Sequence, residues 1–191
     1  MLEAYGGKRA LAMRLLHSVR VPLFGYQRFL MPTATPIRRL VFVCAGNICR
    51  SPFGEQVARQ RGADSVSMGL LATIGSPPHP PAVAAANDRG FDSAQHRATP
   101  FEPEAIHASD LVLAFELRHA LLLESALTGR GAYVRLLGAY AGATNCHIHD
   151  PYGLSSDYFA RCFEIIERGV DVLLTQVRLQ QVGTHSANSD S

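Results

Sequence analysis

The sequence lacks any apolar run of the roughly 18 residues that a transmembrane helix requires, so we expect no membrane span. Cysteine is also scarce, and its spacing resembles neither paired zinc ligands nor the disulfide framework of a small secreted domain. The four cysteines are Cys44, Cys49, Cys146 and Cys162. This cysteine usage favours a reducing, cytoplasmic setting. What remains is an ordinary globular protein, for which 191 residues and 47% hydrophobic content suffice.

The chain has no strong overall charge, since its formal net charge is +2. The charge is unevenly distributed, however. Residues 1–39 carry seven basic residues against one acid, a net +6, and the remainder carries 11 against 15, a net −4. A mildly acidic body argues against a broad nucleic-acid surface. For the basic arm two hypotheses stand: contact with an anionic membrane surface through an amphipathic helix, or a frayed start ahead of Met31.

Three segments are predicted along the chain. They are a basic N-terminal extension (residues 1–37), a catalytic domain (residues 38–182) and a disordered polar tail (residues 183–191). The predicted strands of the domain are Leu40–Val43, Ser65–Met68, Asp110–Phe115 and Tyr133–Leu137. The predicted helices are Pro52–Arg61, Ala82–Arg89, Leu117–Leu127 and Ser156–Gln180. Strands that alternate with helices indicate an α/β fold with a parallel sheet, whose ligands bind at the carboxyl ends of the strands.

One loop has the composition of an anion-binding site. The string Cys44-Ala-Gly-Asn-Ile-Cys-Arg50-Ser51-Pro52 follows the first strand and opens a helix. Its backbone N–H groups and the helix N-terminus are suited to surround a tetrahedral anion, and Arg50 supplies a planar fork for two of its oxygens. Gly46 permits close approach, and Asn47 tolerates positive φ. The predicted binding residues of this loop are Ala45, Gly46, Asn47, Ile48, Cys49 and Ser51.

The same donors predict that Cys44 is the nucleophile. A sulfur among N–H groups, a guanidinium and a helix N-terminus is favoured as the thiolate, which can attack phosphorus. Ser51 is expected to donate a hydrogen bond to this sulfur and later to make it a better leaving group.

A proton donor for the leaving group is expected after the fourth strand. Asp150 lies in His149-Asp-Pro-Tyr152, at the same end of the sheet as the loop, and Pro151 stiffens its backbone. Asp-Pro is also an ordinary turn. Tyr152 has two interpretations, stacking on a substrate ring or packing against the loop.

These motifs resemble the low-molecular-weight protein tyrosine phosphatase family over roughly residues 38–180. The resemblance implies a flavodoxin-like three-layer sandwich, with a four-stranded parallel sheet and helices on both faces. It implies Cys44 as the nucleophile, Arg50 as the phosphate-binding residue, and Asp150 as the acid and then the base. Asn47 and Ser51 match the pair that orders the loop. No metal and no organic cofactor are implied.

Other features of the resemblance concern regulation and substrate. Cys49 matches a second loop cysteine that in relatives forms a protective disulfide with Cys44. His79 stands where an acid is usual, and His96 is expected to be a structural hydrogen-bonding residue. Aliphatic or small residues over 70–74 are typical of the bacterial branch, which acts on tyrosine autokinases of exopolysaccharide export. The predicted partners are therefore a phosphotyrosine protein, for example a tyrosine autokinase, and phosphate or another oxyanion.

Three alternatives remain at this point. A thiol-dependent arsenate reductase shares the anion loop, but it needs a cysteine relay, and no cysteine lies between Cys49 and Cys146. A non-catalytic phosphoprotein-binding module would be expected to lack the nucleophile, the arginine or the acid, and all three are present. A phosphatase for a small phosphate ester such as a phosphosugar uses the same residues.

Overall fold

The computed structural model describes residues 26–30, 37–142 and 146–187 of the chain. The strands are β1 (Arg39–Cys44), β2 (Ser65–Gly69), β3 (Asp110–Ala114) and β4 (Tyr133–Leu136). The α-helices are α1 (Arg50–Gln60), α2 (Pro80–Asn87), α3 (Leu117–Ala126), α4 (Leu137–Tyr140) and α5 (Ser156–Ala187). Short 3-10 helices span Tyr26–Phe29 and Pro103–Ala105. The four strands form one parallel sheet in the order β2-β1-β3-β4.

Both faces of the sheet are buried, as the apolar strand sequences require. Alternate residues of β1 point to opposite faces, so Leu40 and Phe42 belong to one core and Val41 and Val43 to the other. The first core also receives α1, α2, α4 and α5, and the second receives α3. The predicted flavodoxin-like three-layer fold, with helices on both faces of a parallel sheet, is therefore confirmed.

Helix α1 packs very closely on the sheet, next to the loop over residues 44–50 that precedes it. A Cβ atom on Gly54 would lie 2.7 Å from the ring of Phe42, so only glycine allows this approach. On its other side α1 meets α5, where the rings of Phe53 and Phe163 stack with centroids 4.0 Å apart. This packing fixes the N-terminus of α1 at the carboxyl edge of the sheet.

The strand order places β1 between β2 and β3, and the carboxyl ends of all four strands share one edge. Val43 pairs with Ala114, so the residues that follow β1 and β3 are neighbours in space. This is the edge at which open parallel sheets bind ligands.

The basic extension packs on the domain where the structure describes it. Phe29 is buried in the core between the sheet and α3, and Arg28 donates two hydrogen bonds of 2.6 Å to the carboxylate of Glu124. Residues 1–25 and 31–36 lie outside the described residues, so most of the predicted extension, including the hypothesised amphipathic helix, stays a prediction.

Helix α5 is longer than predicted. It continues to Ala187 instead of ending at Gln180, since no proline interrupts the hydrogen-bonding pattern over these residues. The predicted tail thus begins as helix, and residues 188–191 lie outside the described part of the chain. No helix within the described ranges combines the length and apolar character needed to cross a bilayer.

Candidate active site

The loop over residues 44–50, called the anion loop below, joins the last residue of β1 to the first residue of α1. Asn47 has a φ of 54°, the left-handed conformation expected from the sequence. Behind the loop, a Cβ atom on Gly69 would lie 2.8 Å from the backbone nitrogen of Asn47. The absence of a side chain at Gly69 therefore lets the end of β2 support the loop directly.

The side chain of Asn47 ties the anion loop to two other segments. Its Nδ2 donates to the hydroxyls of Ser51 and Ser67, each at 2.9 Å, and its Oδ1 accepts from the backbone N–H of Thr99 at 2.8 Å. The ring Nε2 of His96 lies 2.8 Å from the Asn47 carbonyl oxygen. Asn47 is fully buried, so these bonds are made without competition from water and hold a strained backbone in place.

The sulfur of Cys44 is surrounded by donors. The backbone N–H of Asn47 donates to Sγ at 3.3 Å, and the Ser51 hydroxyl oxygen lies 3.1 Å from it. Because that oxygen accepts from Asn47, its own hydrogen is left for the sulfur or for the Met68 carbonyl at 3.3 Å. The arrangement is suited to stabilise a negatively charged sulfur.

Arg50 is 1% exposed and is held by three acceptors. Its Nη1 donates to Glu116 Oε1 at 2.7 Å and to the Ile148 carbonyl at 2.9 Å, and its Nη2 lies 2.9 Å from Asp150 Oδ2. Its Nε is buried without a hydrogen-bond partner. Burial acts to lower the pKa of Arg50, but the charges of Cys44, Asp150 and Glu116 outweigh it and raise the pKa. The guanidinium is therefore a permanent buried cation.

Asp150 reaches the site from the segment that precedes α5. The backbone N–H of Ile148 donates to the Phe115 carbonyl at 2.8 Å, which anchors this segment at the end of β3. One carboxylate oxygen of Asp150 pairs with Arg50, and the other accepts from the backbone N–H of Tyr152 at 3.3 Å. The side chain remains 40% exposed, so its carboxylate faces both the guanidinium and solvent.

A cleft of about 210 Å³ opens above the anion loop. It is lined by Cys44, Ala45, Gly46, Ile48, Cys49, Arg50, Leu71, Asp150 and Tyr152. All three predicted catalytic residues thus meet in one cavity, together with five of the predicted binding residues. The other two, Asn47 and Ser51, lie behind the loop and act by ordering it.

The mouth of the cleft is apolar and aromatic. Leu71 is 83% exposed and Tyr152 is 61% exposed. The ring of Tyr152 lies against that of His79, with centroids 4.6 Å apart, and His79 donates its backbone N–H to the Ile48 carbonyl at 2.9 Å. Tyr152 therefore packs against His79 as one of its two interpretations predicts, and the exposed face of its ring is also open to a ligand.

The two other buried cysteines near the site are neutral thiols. Burial, followed by the charges of Asp150 and Cys44, raises the pKa of Cys49. Burial raises the pKa of Cys162 to about 12. All four cysteines are free, so the disulfide between Cys44 and Cys49 that the resemblance implies stays a prediction.

Glu116, whose carboxylate binds Arg50, was not among the residues predicted from the sequence. Burial acts to raise the pKa of Glu116, but Arg50 outweighs it and the pKa falls to about 2. The neighbouring His119 is buried, which lowers its pKa to about 4. A signal for Glu116 was present, since it follows β3 at the same sheet edge as Cys44. Ser67 and Thr99 were also missed, and no sequence pattern links them to Asn47.

Comparisons with known proteins agree with this geometry. The family model described as low molecular weight phosphotyrosine protein phosphatase matches residues 39–182. A probable low molecular weight protein-tyrosine-phosphatase, EpsP from Ralstonia nicotianae, is 31% identical over 144 residues, which cover 74% of this chain and 97% of EpsP.

Two solved structures have the same fold. The crystal structure of the tyrosine phosphatase AmsI from Erwinia amylovora has a TM-score of 0.69 at 27% identity, covering 76% of this chain and 97% of AmsI. An active-site cysteine-to-serine mutant of the arginine phosphatase YwlE, with the serine phosphorylated, has a TM-score of 0.66 at 27% identity, covering 73% and 95%. The matched family, the shared fold and the assembled cleft lead to one conclusion: this chain belongs to the low molecular weight phosphotyrosine protein phosphatase family, whose members hydrolyse phosphoric monoesters.

Proposed function

We propose that this cleft hydrolyses phosphotyrosine in proteins, with Cys44 as nucleophile, Arg50 as the oxyanion-binding residue and Asp150 as acid and then base. One observation carries the proposal. The three side chains line the same cavity of about 210 Å³, and the Asp150 carboxylate already lies 2.9 Å from the Arg50 guanidinium.

In the first step the phosphoryl group enters the anion loop. Its oxygens accept hydrogen bonds from the backbone N–H groups of Ala45, Gly46, Ile48 and Cys49 and from Arg50, whose Nε has no other partner. The Cys44 sulfur attacks phosphorus in line with the leaving oxygen, forming an S–P bond as the O–P bond breaks. Asp150 gives its proton to the departing phenolate oxygen.

In the second step the phosphocysteine is hydrolysed. Asp150, now a carboxylate, takes a proton from a water molecule that attacks phosphorus on the side vacated by tyrosine. The S–P bond breaks, and inorganic phosphate leaves with the Cys44 sulfur again a thiolate. The Ser51 hydroxyl, 3.1 Å from Sγ, stabilises the departing sulfur. The mutant YwlE structure, with phosphate on the replaced active-site residue, supports the same covalent route here.

The walls of the cleft favour an aromatic ester. Ile48 in the anion loop and Leu71 at the mouth supply apolar surface, and Tyr152 supplies an aromatic ring. The ring of a phosphotyrosine inserted between these walls would make apolar contacts with these side chains. Phosphoarginine, the substrate class named for YwlE, instead requires acceptors for its guanidinium N–H groups, and the Asp150 carboxylate is the one charged acceptor among the lining residues.

For the physiological substrate we infer a tyrosine autokinase of exopolysaccharide synthesis, acted on in the cytoplasm. The family resemblance supports the kinase, and the nucleophilic role of Cys44 supports a compartment that keeps thiols reduced. The basic arm over residues 1–39 offers a means of approaching the anionic membrane surface near such a kinase.

The test measures initial rates on phosphotyrosine, phosphoserine and phosphoarginine peptides of matched sequence. The wild-type protein should hydrolyse the phosphotyrosine peptide fastest, and Cys44→Ser should abolish turnover on all three. Cys146→Ser is the matched control and should retain wild-type rates, since Cys146 does not line the cleft. Preference for phosphoarginine would refute the substrate assignment, and activity in Cys44→Ser would refute the mechanism.

A further inference from the structure

Glu116 directs its carboxylate to Arg50 instead of to its own helix. It is the residue before α3, with extended backbone angles (φ −133°, ψ 149°), a position where polar side chains often cap the helix. Its side chain makes no capping hydrogen bond, and Oε1 accepts from Arg50 Nη1 at 2.7 Å. The buried carboxylate therefore binds Arg50, and the N-terminus of α3 has no side-chain cap from Glu116.

The hydrogen bond to Glu116 helps to occupy the Nη1 side of the Arg50 guanidinium. Both hydrogens of Arg50 Nη1 are used, one by Glu116 and one by the Ile148 carbonyl at 2.9 Å. The opposite edge, formed by Nε and Nη2, carries the remaining donors. Of these, Nε is buried and unpartnered, and Nη2 contacts the carboxylate of Asp150, which is 40% exposed. Once a phosphoryl group displaces Asp150 from Nη2, the Nε–Nη2 edge is the fork that can bind two of its oxygens.

Glu116 is itself fixed by its neighbours. Arg118 contacts both carboxylate oxygens, with its Nε 3.1 Å from Oε2 and its Nη2 donating to Oε1 at 3.3 Å. His119 Nε2 lies 4.0 Å from Oε1, and its ring is buried. These contacts on both oxygens restrict the orientations in which the carboxylate can receive Arg50.

We propose that Glu116 is a positioning residue that locks the rotation of the Arg50 guanidinium, so that the Nε–Nη2 edge faces the phosphoryl group in the transition state. The inference rests on the proposed role of Arg50. It differs from a simple structural ion pair, because a structural pair stabilises the fold without favouring the transition state over bound phosphate.

The variants separate charge from geometry. Glu116→Ala removes the acceptor, and Glu116→Asp keeps the charge but withdraws it by one methylene. Both should lower kcat by about 30-fold, the loss expected when a transition-state donor is misaligned. Glu116→Gln keeps an acceptor oxygen for Nη1 and should stay within about 5-fold of wild type. Glu124→Gln is the matched control, because its exposed ion pair with Arg28 lies outside the cleft, and it should be unchanged.

Inhibitor binding supplies a readout that loss of stability does not move. Vanadate, which resembles the transition state, should bind Glu116→Asp more weakly by about the same factor as kcat falls, while phosphate affinity changes by less than about 3-fold. Adding Glu116→Ala to Arg50→Ala should cause no further loss, since Glu116 acts through Arg50. Folding of every variant is checked by thermal melting.

The outcomes distinguish the two proposals. If Arg50→Ala itself retains wild-type kcat, the proposed function fails. If Arg50→Ala is inactive but folded Glu116→Asp has wild-type kcat, only the positioning role is overturned. Equal weakening of phosphate and vanadate, or a further loss in the double variant, also overturns it. Should Glu116→Ala not fold, the Asp and Gln variants decide alone.

Discussion

Replacing Asp150 with asparagine should strengthen the binding of inorganic phosphate while it slows turnover. In the free protein the Asp150 carboxylate occupies the Arg50 edge that a phosphoryl group needs, with Oδ2 and Nη2 2.9 Å apart. An entering anion must displace this carboxylate and then remain beside it. The substitution removes a negative charge from the cleft and leaves a side chain of nearly the same shape.

The size of the effect follows from charge separation and exposure. Two like charges about 5 Å apart at an effective dielectric constant of about 20 repel by roughly 3 kcal/mol. Since Asp150 is 40% exposed, water screens most of this repulsion, and about 1 kcal/mol remains. That corresponds to about 5-fold tighter phosphate binding.

The assay is calorimetric titration of phosphate into Cys44→Ser and into Cys44→Ser with Asp150→Asn, which keeps turnover and sulfur charge out of the comparison. Asp157→Asn, an exposed acid in the first turn of α5, is the matched control and should have no effect. Unchanged or weaker phosphate binding in the Asp150→Asn background would refute the idea that this carboxylate competes for Arg50.

Three further predictions concern stability. Asn47→Ala should lower the free energy of unfolding in urea by roughly 3 kcal/mol, because it removes three side-chain hydrogen bonds in a fully buried site; a loss under 1 kcal/mol would contradict this. Phe29→Ala should cost about 3 kcal/mol in the same assay, as Phe29 is 1% exposed, and no loss would show that residues 26–30 do not stabilise the domain. The folded pKa of His119 is about 4, below its ordinary 6.5, so the unfolded chain binds its proton first and stability should fall as pH drops from 6.5 to 4. His119→Gln should reduce this slope between pH 6.5 and pH 4, measured by urea midpoints, and an unchanged slope would contradict the assignment.

That the catalytic residues lie together could be predicted from the sequence, because it depends only on the strands being parallel. Cys44 is the last residue of β1, and Asp150 follows β4 along the chain; in a parallel sheet the carboxyl ends meet at one edge. The same reasoning applies to Glu116 after β3, but its role depends on a rotamer that reaches Arg50 instead of capping α3. A sequence pattern does not specify that choice.

Other features depend on contacts between distant segments. Helix α1 begins at Arg50, two residues before the predicted start at Pro52, because the backbone becomes helical directly after Cys49 of the anion loop. Asn47 is tied to Ser67 and Thr99, whose proximity follows from strand register. Phe29 is one of several aromatic residues in the basic segment, and nothing in the local sequence distinguishes it as the one that enters the core.

The proposed mechanism requires phosphate to pass through a covalent bond to Cys44. Because Asp150 also protonates the leaving group, the test uses an activated aryl phosphate, p-nitrophenyl phosphate, whose leaving group departs without a proton donor. Asp150→Asn is quenched rapidly during turnover of this substrate, and the segment that contains Cys44 and Cys49 is analysed by fragmentation mass spectrometry. Because this variant lacks the base for hydrolysis, we expect a phosphoryl group to accumulate on Cys44. Turnover with no phosphoryl adduct, or an adduct on Cys49 alone, would contradict it.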